Sequence, residues 1–404
     1  MYLCPAFAEG YYAEGEVLVV IADPVYEYNA KSVYYSKAAY SEAIESMAVS
    51  FAKSEGLTAL KTFSEISEIS GVNIVHLRSD TKSTEQLIKE LENDPMVKSV
   101  SPNYIKRVNA FIPNDPNYDK LWSMNKIGMP EIWERVTGSS EICVAVLDSG
   151  IDYNHEDIKS NMAVDSFGNP GRKFSNKGTV TGNPMDSFGH GTHVAGIIGA
   201  VGNNNIGVAG INWRIKLLAV SVLSNGEGFD SDIIAGMNYI LSEKNKGLNI
   251  KVVNMSFGGW EKPQSDTSPL GRAVKSLSDA GMICVFAAGN ESQNISNVDA
   301  KYKGELPYPA SFRFTNTITV GGTDTNDNKS SYSNYSSDWV HIAAPGANIY
   351  STQPNNKYGY LSGSSMAVPH VSGVAALLFA AFPNETAAQI RYRILNGARR
   401  KGVS

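Results

Sequence analysis

Four short stretches carry side chains that could do chemistry together. "VAVLDSGID" ends an apolar run on Asp148, and "DSFGHGTHVAG" holds His190 and His193. "VFAAGN" ends another apolar run on Asn290, and "LSGSSMAVPH" sets Ser364 beside Ser365 behind a glycine. Singly, each has an ordinary reading as a turn aspartate, a buried histidine, a loop asparagine or a helix-capping serine. Together they are the groups that acyl transfer needs. A serine hydroxyl is a weak nucleophile until a base takes its proton. Histidine suits that task because its pKa lies near neutrality. A buried carboxylate fixes the imidazole tautomer and stabilises the imidazolium. A side-chain amide with a backbone N–H can hold the developing oxyanion.

Other chemistries fit the same residues less well. His190 and His193 share a helix face, but zinc-protease helices carry histidines at i and i+4 with an acid between them. Gly191 and Thr192 lie between these two, which disfavours zinc. A dinucleotide loop would need glycine at 194, where Val194 stands. An α/β-hydrolase would run serine, acid, histidine, with Gly-x-Ser-x-Gly after a strand. Here the acid comes first, then histidine, then serine, and Met366-Ala367 follow the serine pair.

Positioning such groups takes a rim. Apolar strands "ICVAVLD", "IKLLAVSVL", "KVVNMSF", "MICVFAAG" and "TITVGG" alternate with helix candidates at 190–201, 231–244, 269–281, 365–381 and 386–398. Near-continuous apolar strands between helices imply an α/β domain with a parallel sheet covered on both faces. Function in such sheets gathers where strands end. Upstream, "EVLVVIA", a helix at 37–55, "LTALKTF", "VNIVHLRS", a helix from Ser83 or Thr84 to Pro95, and "MVKSVSPNYIKRV" give a small α+β unit in ferredoxin-like order. The proline- and asparagine-rich "NAFIPNDPNYD" marks the boundary.

Bulk composition agrees. The 404 residues are 42% hydrophobic and 19% charged, enough for a full core. A net charge of −5 argues against nucleic acid as the main partner. Of three cysteines, Cys143 and Cys284 sit in apolar runs and read as core residues. No run reaches the length expected of a membrane span. Ala6-Phe7-Ala8 reads either as the end of a signal peptide or as part of a plain tail.

In that order, "VAVLDSGID", "GHGTHVAG", "AAGN" and "GSSMAVPHVSG" resemble the subtilisin-like serine proteases, the subtilases, in their thermitase-like branch. The likeness runs from about residue 112 onward. It implies a subtilisin-like fold with Asp148 as triad acid, His190 as base, His193 as structural, Asn290 as oxyanion amide and Ser365 as nucleophile. Ser364 stands where the family usually has threonine. The resemblance further implies that substrate is added as a strand between Ser256-Phe257-Gly258 and Gly226-Glu227-Gly228, with Ala288-Gly289 beside it. Glu227 would favour basic substrate side chains if it faces them, and is otherwise an exposed loop acid.

A structural Ca2+ is implied at Asp115 of "IPNDP", Asp157 of "NHEDI", Asn204, and the carbonyls of Val201, Ile206 and Val208; oxygen ligands of this kind suit calcium. The resemblance divides the chain into a residual signal or tail at 1–13, an inhibitor-like propeptide at 14–110 and a catalytic domain at 111–404. The propeptide would assist folding and block the cleft until self-cleavage within 109–113, for instance after Phe111 with Val108 three residues before it. Relatives continue past "AAQIRYRILNGARR", so the chain reads as a trimmed piece. The expected protein is a secreted, monomeric endopeptidase acting on polypeptides, with no membrane span. The rival is an inactive subtilase serving as a binding protein, which the four filled catalytic positions do not favour.

Overall fold

Two kinds of strand are written in the sequence, and the chain divides into two units, Met1–Val108 and Asn109–Ser404. The structure is a computed structural model that describes residues 12–22, 37–104, 111–175, 179–296, 302 and 304–399. In the first unit the strands alternate. Val17, Val19 and Ile21 of β1 (Tyr12–Ala22) are buried while the residues between them are only partly so. The order continues with α1 (Lys37–Ser54), β2 (Thr58–Thr62), α2 (Ser64–Ser70), β3 (Val72–Arg78), α3 (Thr84–Leu91) and β4 (Val97–Tyr104). The sheet runs β2-β3-β1-β4 and is antiparallel throughout. One face packs Val17, Val19, Ile21, Val75 and Leu77 against Phe51 of α1 and Leu87 and Leu91 of α3.

Ser83 is the cap of α3, with Gln86 completing a reciprocal capping box. The short helix α2 was not expected from the sequence; Gly71 ends it in the left-handed conformation. Tyr12 and Ala13, assigned to the tail by the sequence, belong to β1. Residues 1–11, with Cys4 and the Ala6-Phe7-Ala8 signal, lie outside the described residues.

The second unit begins with two short helices, α4 (Trp122–Lys126) and α5 (Met129–Trp133). Then come β5 (Gly138–Asp148), β6 (Gly171–Ser175), β7 (Thr179–Thr181), α6 (His190–Gly199), β8 (Arg214–Ser221), α7 (Asp230–Asn245), β9 (Ile250–Met255), β10 (Gly259–Glu261), α8 (Pro269–Asp279), β11 (Ile283–Ala287), β12 (Leu306–Tyr308), β13 (Thr317–Thr323), β14 (Ile342–Pro345), β15 (Ile349–Gln353), β16 (Lys357–Leu361), α9 (Ser364–Ala381) and α10 (Ala387–Gly397). The main sheet runs β14-β13-β11-β9-β5-β8-β6-β7. All its pairings are parallel except β6 with β7.

Both faces are covered, which is why these strands are apolar at nearly every position. Val144 and Val146 of β5 face one core with Val194 of α6 and Val371 of α9, while Cys143, Ala145 and Leu147 face the other with Met237 of α7 and Val274 of α8. Cys143 and Cys284 are free and buried. Helix α9 is long and apolar enough to cross a membrane by length and composition, which corrects the expectation that no segment reaches that measure. It is 72% buried inside the protein, because it lies across β5, β9, β11 and β13 as the central core helix.

From β5 the chain moves to β8 on one side and returns to β9 on the other, so the order reverses beside β5. Such a reversal opens a crevice at the carboxyl ends of the strands. Asp148 closes β5 there. Two residues later Gly150 has φ 113°, and a Cβ would stand 2.3 Å from the Pro184 carbonyl. Both conformation and space therefore require glycine. Gly150→Ala should destabilise the protein by about 1–3 kcal/mol, read as a lower urea midpoint for the full chain.

Candidate active site

Asp148 is fully buried at the end of β5. Its Oδ1 lies 2.7 Å from His190 Nδ1 and also accepts from Ser149 N at 2.7 Å. His190 is the first residue of α6. What brings it there is the glycine after it. A Cβ on Gly191 would fall 2.1 Å from the Gly150 carbonyl and 3.1 Å from Asp148 Cβ. Without that side chain the helix start sits directly on the turn after β5. Burial of the ring opposes its protonation. The charge and hydrogen bond of Asp148, with the charge of Asp186, outweigh this and hold His190 above the ordinary histidine value.

His193 points elsewhere. It is buried, and its Nε2 lies 3.0 Å from the Ile349 carbonyl and 3.1 Å from that of Gly359. It ties α6 to the β15–β16 hairpin, and burial lowers its pKa to about 4.

The serine pair opens α9, and the two hydroxyls have different surroundings. Ser364 is fully buried, and its Oγ accepts from Gly289 N at 3.2 Å. Ser365 Oγ donates to the Ser256 carbonyl at 2.8 Å, and Ser256 Oγ donates back to the Ser365 carbonyl at 2.9 Å. Pro369 explains the second bond. A proline four residues on has no N–H to offer the Ser365 carbonyl, so Ser256 supplies the donor. Behind Ser256, Asn254 Nδ2 donates to its hydroxyl at 3.0 Å, and Ser372 Oγ donates to Asn254 Oδ1 at 2.8 Å. A buried polar chain thus fastens α9 to the end of β9.

Asn290 follows β11. Its Oδ1 accepts from Ser364 N at 2.8 Å, so its NH2 group turns the other way. A Cβ on Gly363 would lie 3.5 Å from Asn290 Nδ2 and 3.6 Å from Ser365 N. Two donors therefore border one small space that glycine leaves open. Ser365 N is also among the first-turn donors of α9 that have no acceptor within the helix, at the end whose dipole favours negative charge.

These groups meet in a cleft of about 270 Å3. His190, Gly226, Ser256, Phe257, Gly258, Gly289, Asn290 and Ser365 line it. Asp148 lies buried behind His190. Among the other expected contacts, Ala288 is fully buried, donates to the Val320 carbonyl and accepts from Asn334. Glu227 is exposed and pairs with Ser224 across a tight turn. Gly228 packs under the Val222 carbonyl, 2.6 Å from where a Cβ would be. None of these three lines the cleft. Phe188, Leu223, Trp260, Glu291 and Pro307 do, and the sequence did not single them out. Trp260 and Pro307 meet only because β10 pairs with β12, a non-local event with no local signal.

The expected calcium ligands also come together. Asp115 and Asp157 are both buried. Asp115 Oδ2 accepts from Asn203 N at 2.7 Å, and its Oδ1 is buried without a partner among the described residues. Asp157 accepts from Asn204 Nδ2 at 2.9 Å and Val208 N at 2.8 Å. Burial, with the charge of Asp115, pushes Asp157 up to about 7. No hydrogen bond to the carbonyls of Val201, Ile206 or Val208 is made among the described residues. Those residues contain no cluster of three or more histidine, cysteine or acidic side chains, so a cation here would rely on carbonyl and amide oxygens as much as on charge. An orphaned buried carboxylate oxygen, whose partner oxygen is bonded to the loop that carries these carbonyls, fits a hard cation.

Comparison with known proteins agrees with this geometry. The sequence profile of the subtilase family matches residues 139–404. Thermitase of Thermoactinomyces vulgaris is 38% identical over 290 residues, covering 71% of this chain and 92% of that protein. A thermophilic serine proteinase of Bacillus sp. strain AK1 is 36% identical over 298 residues, 73% of this chain and 66% of its own length. A solved protease from Pseudoalteromonas arctica PAMC 21717 superposes with a TM-score of 0.61 at 30% identity, over 71% of this chain and 93% of that one. The chain belongs to the subtilase family of serine endopeptidases.

Proposed function

We propose that the chain is a secreted serine endopeptidase made as a zymogen, which hydrolyses peptide bonds through an acyl-enzyme on Ser365. The observation that carries this is the 2.7 Å bond between buried Asp148 and His190, at a cleft that Ser365 and Asn290 share. For attack, the Ser365 hydroxyl exchanges the Ser256 carbonyl for the His190 ring as its acceptor. His190 takes the proton as Oγ bonds to the substrate carbonyl carbon, and Asp148 stabilises the imidazolium. Negative charge on the carbonyl oxygen falls between Asn290 Nδ2 and Ser365 N. His190 then returns the proton to the leaving amine, and water hydrolyses the ester by the same route in reverse.

In this reading residues 14–110 are the propeptide, an intramolecular inhibitor and folding aid. The catalytic domain, residues 111–404, acts as a monomer on polypeptides. Self-cleavage falls within 109–113. Phe111 is held in the second unit, with its ring 5.5 Å from that of Trp213 and its N–H on the Pro130 carbonyl. Val108 and the bonds up to 110 lie outside the described residues. Ser365→Ala should leave the full-length chain uncut and unlabelled by a serine-directed phosphonate. Ser364→Ala should keep both reactions at reduced rate. The opposite pattern on a gel would transfer the nucleophile to Ser364 and overturn the assignment.

Acid sensitivity follows from the histidine. Only the neutral ring can accept the proton, and His190 is held above the usual value of about 6.5. Activity is therefore lost as pH falls through a pKa on the high side of that value. Stability runs the other way. The ion pair contributes fully below the unfolded-state pKa, and its contribution fades as pH rises through the folded one. A pH profile of kcat/KM with its acid limb below the ordinary histidine value would contradict this electrostatic account.

Subtilases commonly bind structural calcium. We assign such a site to Asp115, Asp157, Asn204 and the carbonyls of Val201, Ile206 and Val208. Bound there, the ion would neutralise two buried carboxylates and fix the loop around them. At a hundredfold excess over Kd such binding adds about 2.7 kcal/mol. Chelation should then lower the melting midpoint by roughly 5–10 °C, and Asp157→Asn should abolish most of that response. A midpoint indifferent to chelator would remove the ion from the account.

A further inference from the structure

Asp186 has entered so far only as a charge near His190, yet it is 3% exposed and lies four residues before that histidine. Its oxygens take five hydrogen bonds. Oδ1 accepts from Ser149 Oγ at 3.0 Å, Phe188 N at 2.9 Å and Gly189 N at 2.9 Å. Oδ2 accepts from Thr192 N at 2.9 Å and Thr192 Oγ1 at 2.7 Å. Ser149 Oγ in turn accepts from Gly191 N at 2.9 Å, and Ser149 N donates to Asp148 Oδ1. A helix cap needs only one or two such bonds. This carboxylate does more, because through Ser149 it crosses from the helix start to the strand end. The N–H groups on both sides of His190, at Gly189 and Gly191, are fixed by one assembly, and that assembly also grips the residue after Asp148.

The geometry points to Asp186, acting through Ser149, as the positioning residue of the Asp148–His190 pair: it sets the separation of strand end and helix start and adds a second negative charge beside the imidazole. This rests on the reading of that pair as acid and base. The charge environment of the ring is simple. Asp148 faces it from β5 and Asp186 from the turn before α6, and both favour the imidazolium. His193, also on α6, is kept neutral by burial. Ser256 and Ser365 bring no charge, and Glu291 lines the same cleft. Asp186 is therefore the second carboxylate acting on the base. As charge builds on the ring during proton transfer, Asp186 stabilises it without moving.

Two measurements separate positioning from plain helix capping. The first uses the full chain carrying Ser365→Ala, which needs no proteolytic activity. With 15N-histidine label, Asp186→Asn should lower the His190 pKa by about half a unit, while Ser149→Ala should leave it in place. The second uses the active chain, normalised to its phosphonate-reactive fraction. Asp186→Asn should lower kcat by roughly tenfold or more with little change in KM, and should move the acid limb of kcat/KM down with the pKa. Ser149→Ala should lower kcat several-fold with the limb unmoved. A residue that only caps α6 would lower the urea midpoint and leave both the His190 titration and kcat per active site unchanged, and that outcome overturns the proposal. If Asp186→Asn does not fold, an unchanged kcat in Ser149→Ala overturns it equally. If the parent chain cleaves nothing while the His190 titration shifts as stated, the functional reading fails and the positioning stands.

Discussion

A fully buried carboxylate at the end of a central strand is the constraint on which the second unit turns. An unpaired charge at Asp148 would cost several kcal/mol, so the fold must bring it partners. It does so from two directions. The next backbone N–H turns back onto Oδ1, and His190 arrives on the first residue of α6. Both depend on missing side chains. Gly150 lets the chain turn sharply, and Gly191 lets the helix start rest on that turn. The proposed acid–base pair is thus a product of backbone packing, and the hydrogen bond records how closely a strand end and a helix start can approach.

The serine side solves a different problem, which is to hold the proposed nucleophile on a helix that is otherwise mostly core. Helix α9 packs against five strands and is buried along most of its length. Pro369 frees the Ser365 carbonyl from the helix ladder, and Ser256 captures it from the end of β9. The same proline that weakens the helix internally thereby registers it against the sheet. Asn254 and Ser372 continue the connection into the core. With Asn290 bonded to Ser364 N, ends of two neighbouring strands, β9 and β11, are both tied to the first turn of α9. The proposed acid, base, nucleophile and amide then belong to elements tied to one another by hydrogen bonds.

How much of this the sequence discloses depends on the range of the interaction. The apolar strands are legible because a parallel sheet buries both faces, and the rim residues are legible because each ends a strand or starts a helix. The proposed calcium ligands are legible only as a set, since two aspartates and an asparagine loop scattered over about ninety residues mean little separately. The direction of each histidine was not legible from spacing. His190 and His193 share a helix, and only contact with the β15–β16 hairpin turns the second away from the cleft. The short helix α2 was missed because seven residues carry too little periodicity to read. Ser256 was expected as a substrate contact, while its bond to the carbonyl orphaned by Pro369 spans more than a hundred residues and leaves no local mark.

The cleft walls follow a different rule from its floor. The floor residues are fixed by reciprocal hydrogen bonds between sheet and helix, so replacing one disturbs the others. The walls are built from Phe188, Leu223, Trp260 and Pro307, contributed by turns and a small hairpin. Trp260 stacks on Tyr302 at 3.9 Å between ring centres, and Phe188 lies over Gly226, 2.9 Å from where a Cβ would be. These contacts are apolar and lie outside the hydrogen-bonded network around Asp148 and Ser365. Shape and apolar area at the walls can therefore change while the reacting groups keep their geometry. Phe188 and Leu223 join wall to floor, because the Phe188 N–H is held by Asp186 and the Leu223 N–H donates to the Asp148 carbonyl. A change at either residue would be felt by the proposed base as well as by the cleft wall, which on the proposed reading ties specificity to catalysis there and leaves them separable at Trp260 and Pro307.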